Sequence, residues 1–363
     1  MFYMEKGFAQ TLILRGGKII LKSEKIVSKG ITALVCTLLI LLAGCGKEPE
    51  VNKTDFMLDT FVTSSWHGEN AEACYEEIKE MLTESEERLS TFKEGSEIYS
   101  VNEMSGKEPQ KVSEETFKIL KRSKELSGAT GGSFDITVAP LVKLWDVTGE
   151  DPHVPNKDSI EEKKALISYE KLILDEENTT AFLKEEGMEI DLGAVLKGCL
   201  AQKALDIAEK HQVRGYISVG GNMAVTGKKD DGSDYVMGIR NPRGEGNDYI
   251  GTLTMDGLTM ATAGDYERFF TEDGVRYHHI LDTKTGYPAE TDIISATVLS
   301  RDGLLADFLS TYIFMEGTDS IDKFEGYESF EFIAVDKNLN VYSSEGLKGI
   351  FKPAEDKKEF NFL

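Results

Sequence analysis

The chain has 363 residues, with 41 Lys and Arg against 64 Asp and Glu, a formal net charge of −23. Such an acidic surface repels nucleic acid and anionic lipid, and a polyphosphate ligand would need a bridging divalent cation. The four cysteines form no Cys-x-x-Cys pair, which excludes a thiolate zinc site and a disulfide framework.

Near the amino terminus, Lys22, Lys25 and Lys29 precede an apolar run from Ile31 that closes on Leu42-Ala-Gly-Cys45. Residues 31–44 fall short of the roughly 20 that a spanning helix needs. Small residues ahead of a cysteine match a bacterial lipoprotein cleavage box. The expectation is a signal peptide over 1–44, lipidation of Cys45 and a polar tether over 45–53, ahead of a catalytic domain over 54–363. The protein would then be extracytoplasmic and lipid-anchored to the cell membrane; an uncleaved short anchor is the alternative. Residues 1–20 make the leader long, and Leu21 is a candidate start. The leader holds six Lys and Arg against two Glu, so the exported part is nearer −27. Of the cysteines it retains, Cys74 and Cys199 fall on apolar helix faces and read as reduced core residues.

A strand is expected over 54–66. A helix follows over roughly 69–89, with Ala73, Cys74, Ile78, Met81, Leu82 and Leu89 at helical spacing. Another begins at the cap Ser113 with Phe117, Leu120 and Leu126 inward. Gly131-Gly132-Ser133-Phe134-Asp135 then ends that helix and opens an extended run to Trp145. These residues offer flexible backbone, an aromatic face and an acceptor, a set that can hold a heteroaromatic ring. Leu58 and Phe92 could close the same pocket, or simply serve as core.

Asp191-Leu-Gly-Ala-Val-Leu-Lys197-Gly follows a short strand over 188–190 and precedes a helix over 195–211. Backbone amides and Lys197 there could receive a phosphate; the plainer account is a helix capped by Asp191. From Tyr235 to Val298, strand-like runs are separated by turns at Asn241-Pro242, Asp256-Gly257, Asp273-Gly274 and Thr285-Gly286. His278 and His279 lie at the end of one such run, where an imidazole can titrate near neutrality or serve as a structural hydrogen-bonding group. A helix over 303–315 sets Asp307 and Thr311 on one face with Ser310 beside them. These oxygens could hold magnesium, or Asp307 could stand alone with a back-bonding Thr311. A strand from Phe330 turns at Lys337-Asn338 into Val341-Tyr342. Strands and helices are thus partly segregated, giving an α+β fold with a mainly antiparallel sheet, flanking helices and two intimately packed lobes.

Taken jointly, the blocks Leu58-Asp-Thr60, Leu89-Ser-Thr-Phe with Ser96-Glu-Ile and Asn102, Gly132-Ser-Phe-Asp135 with Pro140 and Trp145, Asp191 to Gly198, Val219-Gly-Gly-Asn222, Thr262 to Arg268, His279 to Gly286 and Ala306 to Thr311 resemble the ApbE family of FAD:protein FMN transferases, in the family's order from about 55 to 317. The resemblance implies that Asp307 and Thr311, with the Ala194 carbonyl and Ser310, hold Mg2+. It also implies that Leu58, Phe92, Ser133, Phe134, Asp135, Asp191, Lys197 and Leu281 contact FAD, with His279 as the candidate base. FMN would pass from FAD to a Thr or Ser hydroxyl of an exported acceptor, an FMN-binding-domain protein with a flavinylation motif, releasing AMP. Thr283, Ala263 and Leu58 depart from the family's usual Pro, Ser and Met. Two rival readings are an FAD-binding lipoprotein without transferase activity and a magnesium-dependent FAD pyrophosphatase. Ser127-Gly-Ala-Thr130 is a weak internal match to the acceptor motif, and the capping glycine at a helix end explains it better.

Overall fold

The computed structural model describes residues 48–363 except 151, 325, 326 and 328. The expected signal peptide, lipid site at Cys45 and most of the tether lie outside the described residues. Residues Pro49–Leu363 form one compact unit.

Its centre is a nine-stranded sheet, in spatial order Glu50–Met57, Thr60–His67, Arg214–Val219, Asn222–Thr226, Leu258–Gly264, Ile293–Ser300, Phe330–Asp336, Asn340–Ser343 and Asn361–Phe362. Every neighbouring pair is antiparallel except the last. This is the expected α+β architecture: short turns join three pairs of successive strands, and the long insertions over 68–213 and 301–329 carry the helices.

Among the described residues seven α-helices accompany it: α1 Ala71–Leu89, α2 Glu97–Glu103, α3 Glu114–Ala129, α4 Ala139–Trp145, α5 Lys157–Lys164, α6 Leu196–His211 and α7 Gly303–Glu316. No helix among the described residues is long and apolar enough to cross a membrane. Helix α6 lies along strands 214–219 and 222–226, and α7 along 258–264 and 293–300. Strand Ile293–Ser300 is buried along its whole length, because α7 covers one face and a small three-stranded sheet packs over the other. That small sheet comprises Val236–Arg240, Tyr249–Thr254 and Lys352–Pro353.

Helix α7 is almost wholly buried; only its Thr311, Met315 and Glu316 escape full burial. A helix that apolar belongs in a core, so its single acidic residue within that stretch, Asp307, stands out against its surroundings.

Four sequence expectations are corrected. The strand expected over 54–66 is a hairpin, whose turn residues Leu58 and Asp59 have φ of 56° and 54°. Two positive φ values make a type I′ turn, which usually signals itself by Asn or Gly; Leu58 gives no such sign. The extended run to Trp145 instead contains α4, begun by Pro140 in its first turn. The strand over 188–190 reduces to one bridge between Glu189 and Val138. Of the residues placed on the inner face of α1, Ala73 is exposed, while Ala71 and Tyr75 are buried instead.

Candidate active site

The site forms where α6 and α7 cross. Gly198 and Gly303 meet at the crossing: a side chain on Gly198 would collide with the Gly303 carbonyl and put its Cβ 2.7 Å from Asp307 Cβ. Glycine at both positions lets the helices approach closely, and that approach carries Asp307 to the start of α6.

There the N–H of Gly198 donates to Asp307 Oδ2 at 2.9 Å. Asp191 is therefore not the cap of α6: the N-cap is Val195, which has no side-chain bond, and Asp191 Oδ1 accepts the N–H of Gly193 at 2.6 Å within its own turn. The capping carboxylate comes from α7. Gly198 supplies one of the first N–H groups of α6, which have no carbonyl partner within the helix, and the Asp307 carboxylate takes that bond.

Burial raises the pKa of Asp307, and the Lys197 charge, the Gly198 and Lys197 amides and the Asn222 side chain oppose that rise. The Ser310 hydroxyl donates to the Asp307 carbonyl at 2.8 Å, and that of Thr311 does so at 3.4 Å. These are the back-bonds of the plainer reading, yet a hydroxyl that donates its proton keeps its lone pairs. A carboxylate and two hydroxyl oxygens, with the Ala194 carbonyl just ahead of α6, make an all-oxygen set, which fits a hard cation completed by water and phosphate. No group of three or more His, Cys, Asp or Glu that could hold a metal occurs among the described residues; this donor set contains only one such residue.

Lys197 bonds to the Gly193 carbonyl at 2.7 Å, and its charge acts on both Asp307 and His279. It lies under the Gly220 turn, where a Cβ would stand 3.1 Å from Lys197 Cδ and 2.8 Å from Thr60 Oγ1. Gly220 has φ of +57°, so glycine serves there both for the left-handed turn and for clearance.

The two histidines part company. His278 is buried, edge-on to Phe314; its Nδ1 accepts from the Ile280 N–H and its Nε2 donates to the Ala289 carbonyl. It is the structural member of the pair. His279 is half-buried, and both its N–H and its Nδ1 lie against the Arg268 carbonyl, at 3.1 and 3.2 Å. A carbonyl only accepts, so Nδ1 carries the proton and Nε2 has a free lone pair. Desolvation, then the charges of Arg268 and Lys197, push the imidazole pKa down to about 3. The ring edge left open to solvent softens that fall, and the neutral form holds near neutral pH in either case.

The segment Ser133–Asp135 packs alongside. Phe134 is in the core, edge-on to Phe308 at 4.8 Å, and does not present an open face. Asp135 accepts the Thr137 N–H and hydroxyl at 2.8 Å each and the Tyr169 N–H at 2.6 Å. Burial raises its pKa, and those donors oppose the rise. Beside it opens a cleft of about 320 Å3 walled by Gly131, Gly132, Asp135, Ser168, Tyr169 and Thr283. The Thr283 hydroxyl closes onto the Gly132 carbonyl at 2.7 Å, which ties the segment after His279 to this cleft. Leu281 is buried among Leu141, Trp145 and Ile160.

Leu58 anchors its hairpin through its N–H on Glu86 Oε1 at 3.2 Å. Phe92 is 71% exposed, and no contact ties it to the other candidates. Cys74 and Cys199 are free thiols, each raised to about 12 chiefly by burial, hence inert. Ser127 and Thr130 are buried and bonded to backbone carbonyls, so neither can accept a group from outside.

Sequence reasoning passed over Asn222, Arg268 and Tyr169 as site residues. Asn222 had a signal: it is a polar residue opening an apolar strand directly after two glycines. Tyr169, in a single 3-10 turn, had none.

A buried carboxylate bonded to helix-start amides, with a lysine whose charge acts on it and on a neutral imidazole, suits an enzyme acting at phosphate. Comparison with known proteins gives that class its family. The chain belongs to the ApbE family, whose family model matches residues 58–330. It is 32% identical over 286 residues to a FAD:protein FMN transferase of Klebsiella pneumoniae (strain 342), covering 78% of this chain and 89% of the relative. The crystal structure of the ApbE protein of Thermotoga maritima matches with a TM-score of 0.76 at 32% identity, over 83% of this chain and 99% of that one. The flavin transferase ApbE of Vibrio cholerae matches with a TM-score of 0.73 at 25% identity, over 84% and 99%.

Proposed function

We propose that this enzyme transfers FMN from FAD to a Thr or Ser hydroxyl of an exported protein and releases AMP, with Mg2+ required. The observation that carries the reading is the Gly198–Asp307 bond, which fixes the one acidic side chain of the buried stretch of α7 at the start of α6, where the Lys197 charge acts on it. Asp307, Ser310, Thr311 and Ala194 would hold the ion. When bound, it would neutralise the phosphoanhydride as a Lewis acid.

The remaining steps belong to the chain. Lys197 offsets charge on the anhydride, at the start of a helix whose N-terminal amides favour anions. The cleft beside Asp135 and Tyr169 receives the dinucleotide, with Leu58, Ser133, Phe134, Asp191 and Leu281 shaping its surroundings. Nε2 of His279 takes the acceptor hydroxyl's proton as the oxygen bonds to the FMN phosphorus. The bond from that phosphorus to the bridging oxygen breaks, and the oxygen leaves with AMP. Export and lipidation at Cys45 form part of this proposal and rest on the leader sequence; the partner is an exported acceptor protein with an FMN-binding domain.

The test incubates the enzyme with FAD, Mg2+ and a protein carrying a Thr/Ser flavinylation motif. Transfer gives a flavin-fluorescent acceptor band and AMP. Free FMN without labelled acceptor would indicate a pyrophosphatase instead, and intact FAD a binding protein.

A further inference from the structure

His279 sits at the root of a hairpin made of Phe269–Glu272 and Val275–His278, which pairs with no other strand among the described residues. A two-stranded hairpin is marginally stable by itself, so something outside it must fix its position. The turn that follows His279, closed by the Gly286 N–H on the Asp282 carbonyl, is likewise outside every named strand.

Both segments converge on Trp145, at the end of α4 and 1% exposed. Before His279, Tyr277 stacks on its ring at 5.7 Å and Phe270 lies at 6.4 Å, tilted. After it, the Gly286 carbonyl accepts Trp145 Nε1–H at 2.8 Å and Tyr287 packs edge-on at 5.7 Å. Phe270 and Tyr277 also stack on each other at 5.3 Å. With Leu141, Ile160 and Leu281 these residues form a small apolar cluster distinct from the main core. A second anchor, His278 on Phe314, fixes only the hairpin root.

We propose that Trp145 is a positioning residue for His279, holding the segments on either side of the imidazole so that its Nδ1–H stays on the Arg268 carbonyl and its Nε2 meets the acceptor hydroxyl. The inference rests on the reading of His279 as the base. Displacing a reacting group by about 1 Å can cost up to about 100-fold in rate.

The experiment is a double-mutant cycle on the full chain, read by FMN transfer with FAD and Mg2+, using Trp145→Leu, Tyr277→Leu and His279→Gln. Trp145→Leu should lower kcat about 10- to 100-fold with KM for FAD little changed, Tyr277→Leu should do the same more mildly, and Trp145→Phe should recover most of the rate. On the His279→Gln background Trp145→Leu should cost nothing further. Nitrogen NMR of labelled histidine gives a rate-independent readout: His279 should show a single Nδ1–H tautomer in the wild type and a mixture in Trp145→Leu and Tyr277→Leu. Equal losses from Trp145→Leu in both backgrounds, a change confined to KM, or an unaltered tautomer would overturn the inference. A His279→Gln enzyme with wild-type kcat would remove the base assignment itself, and this inference with it.

Discussion

The two halves of the site are built differently. Asp307 lies in the core, where two glycines press α6 against α7 and a backbone N–H 109 residues away fixes the carboxylate. His279 lies on an appended hairpin, half-open to solvent, held by one carbonyl and an aromatic cluster. The contrast teaches that packing which cannot relax cheaply preorganises Asp307, while His279 is held on a partly open segment; under the proposed function these would be the ion-holding and the proton-handling groups.

Four measurements would break or sharpen this contrast. The largest effect is expected from Asp307→Ala, which removes the only carboxylate of the cation set and should cut transfer by on the order of 10^3-fold or more. Wild-type AMP release at limiting magnesium would refute its role. His279→Gln should cost about 100-fold, within the usual range for a general base. Its loss should fall mainly on kcat, in a protein whose melting temperature near neutral pH hardly moves. If the two halves are as different as described, Asp307→Ala alone should also abolish the magnesium dependence of FAD binding.

Gly198→Ala tests the crossing directly. Its Cβ must push α7 away, at a cost of about 1–3 kcal/mol for overpacking, and activity should fall about tenfold as Asp307 shifts. A variant with unchanged melting temperature and rate would show that the close approach has no bearing on the site. The smallest effect is a pH signature. His279 is depressed in the folded state, so its neutral form contributes stability that is present above its unfolded value near 6.5 and is lost as pH falls toward about 3. His279→Gln should flatten the acid-side decline in melting temperature across that window. The acid limb of kcat should lie well below 6.5; a limb at 6.5 would mean an ordinary, solvated imidazole.

Much of the scaffold was legible in the chain. Helical spacing and the cap Ser113 mark α1 and α3, and dipeptide turns mark the central strands, because such signals depend on neighbours a few residues apart. Where local signals were weak or misleading, reading faltered: Leu58 conceals a hairpin turn, and Pro140 opens a helix inside an apparently extended run.

The sequence by itself determined the family, through blocks occurring jointly in order, and it singled out the oxygen, lysine and histidine candidates. It could not say that His278 is bonded through both ring nitrogens, that Asp307 rather than Asp191 caps α6, or that Asn222, Arg268 and Tyr169 stand among the candidates. Those facts follow from contacts between residues eleven to more than a hundred positions apart. Only the nine-stranded sheet and the helices crossed upon it bring such partners within bonding distance, so only the tertiary structure could decide them.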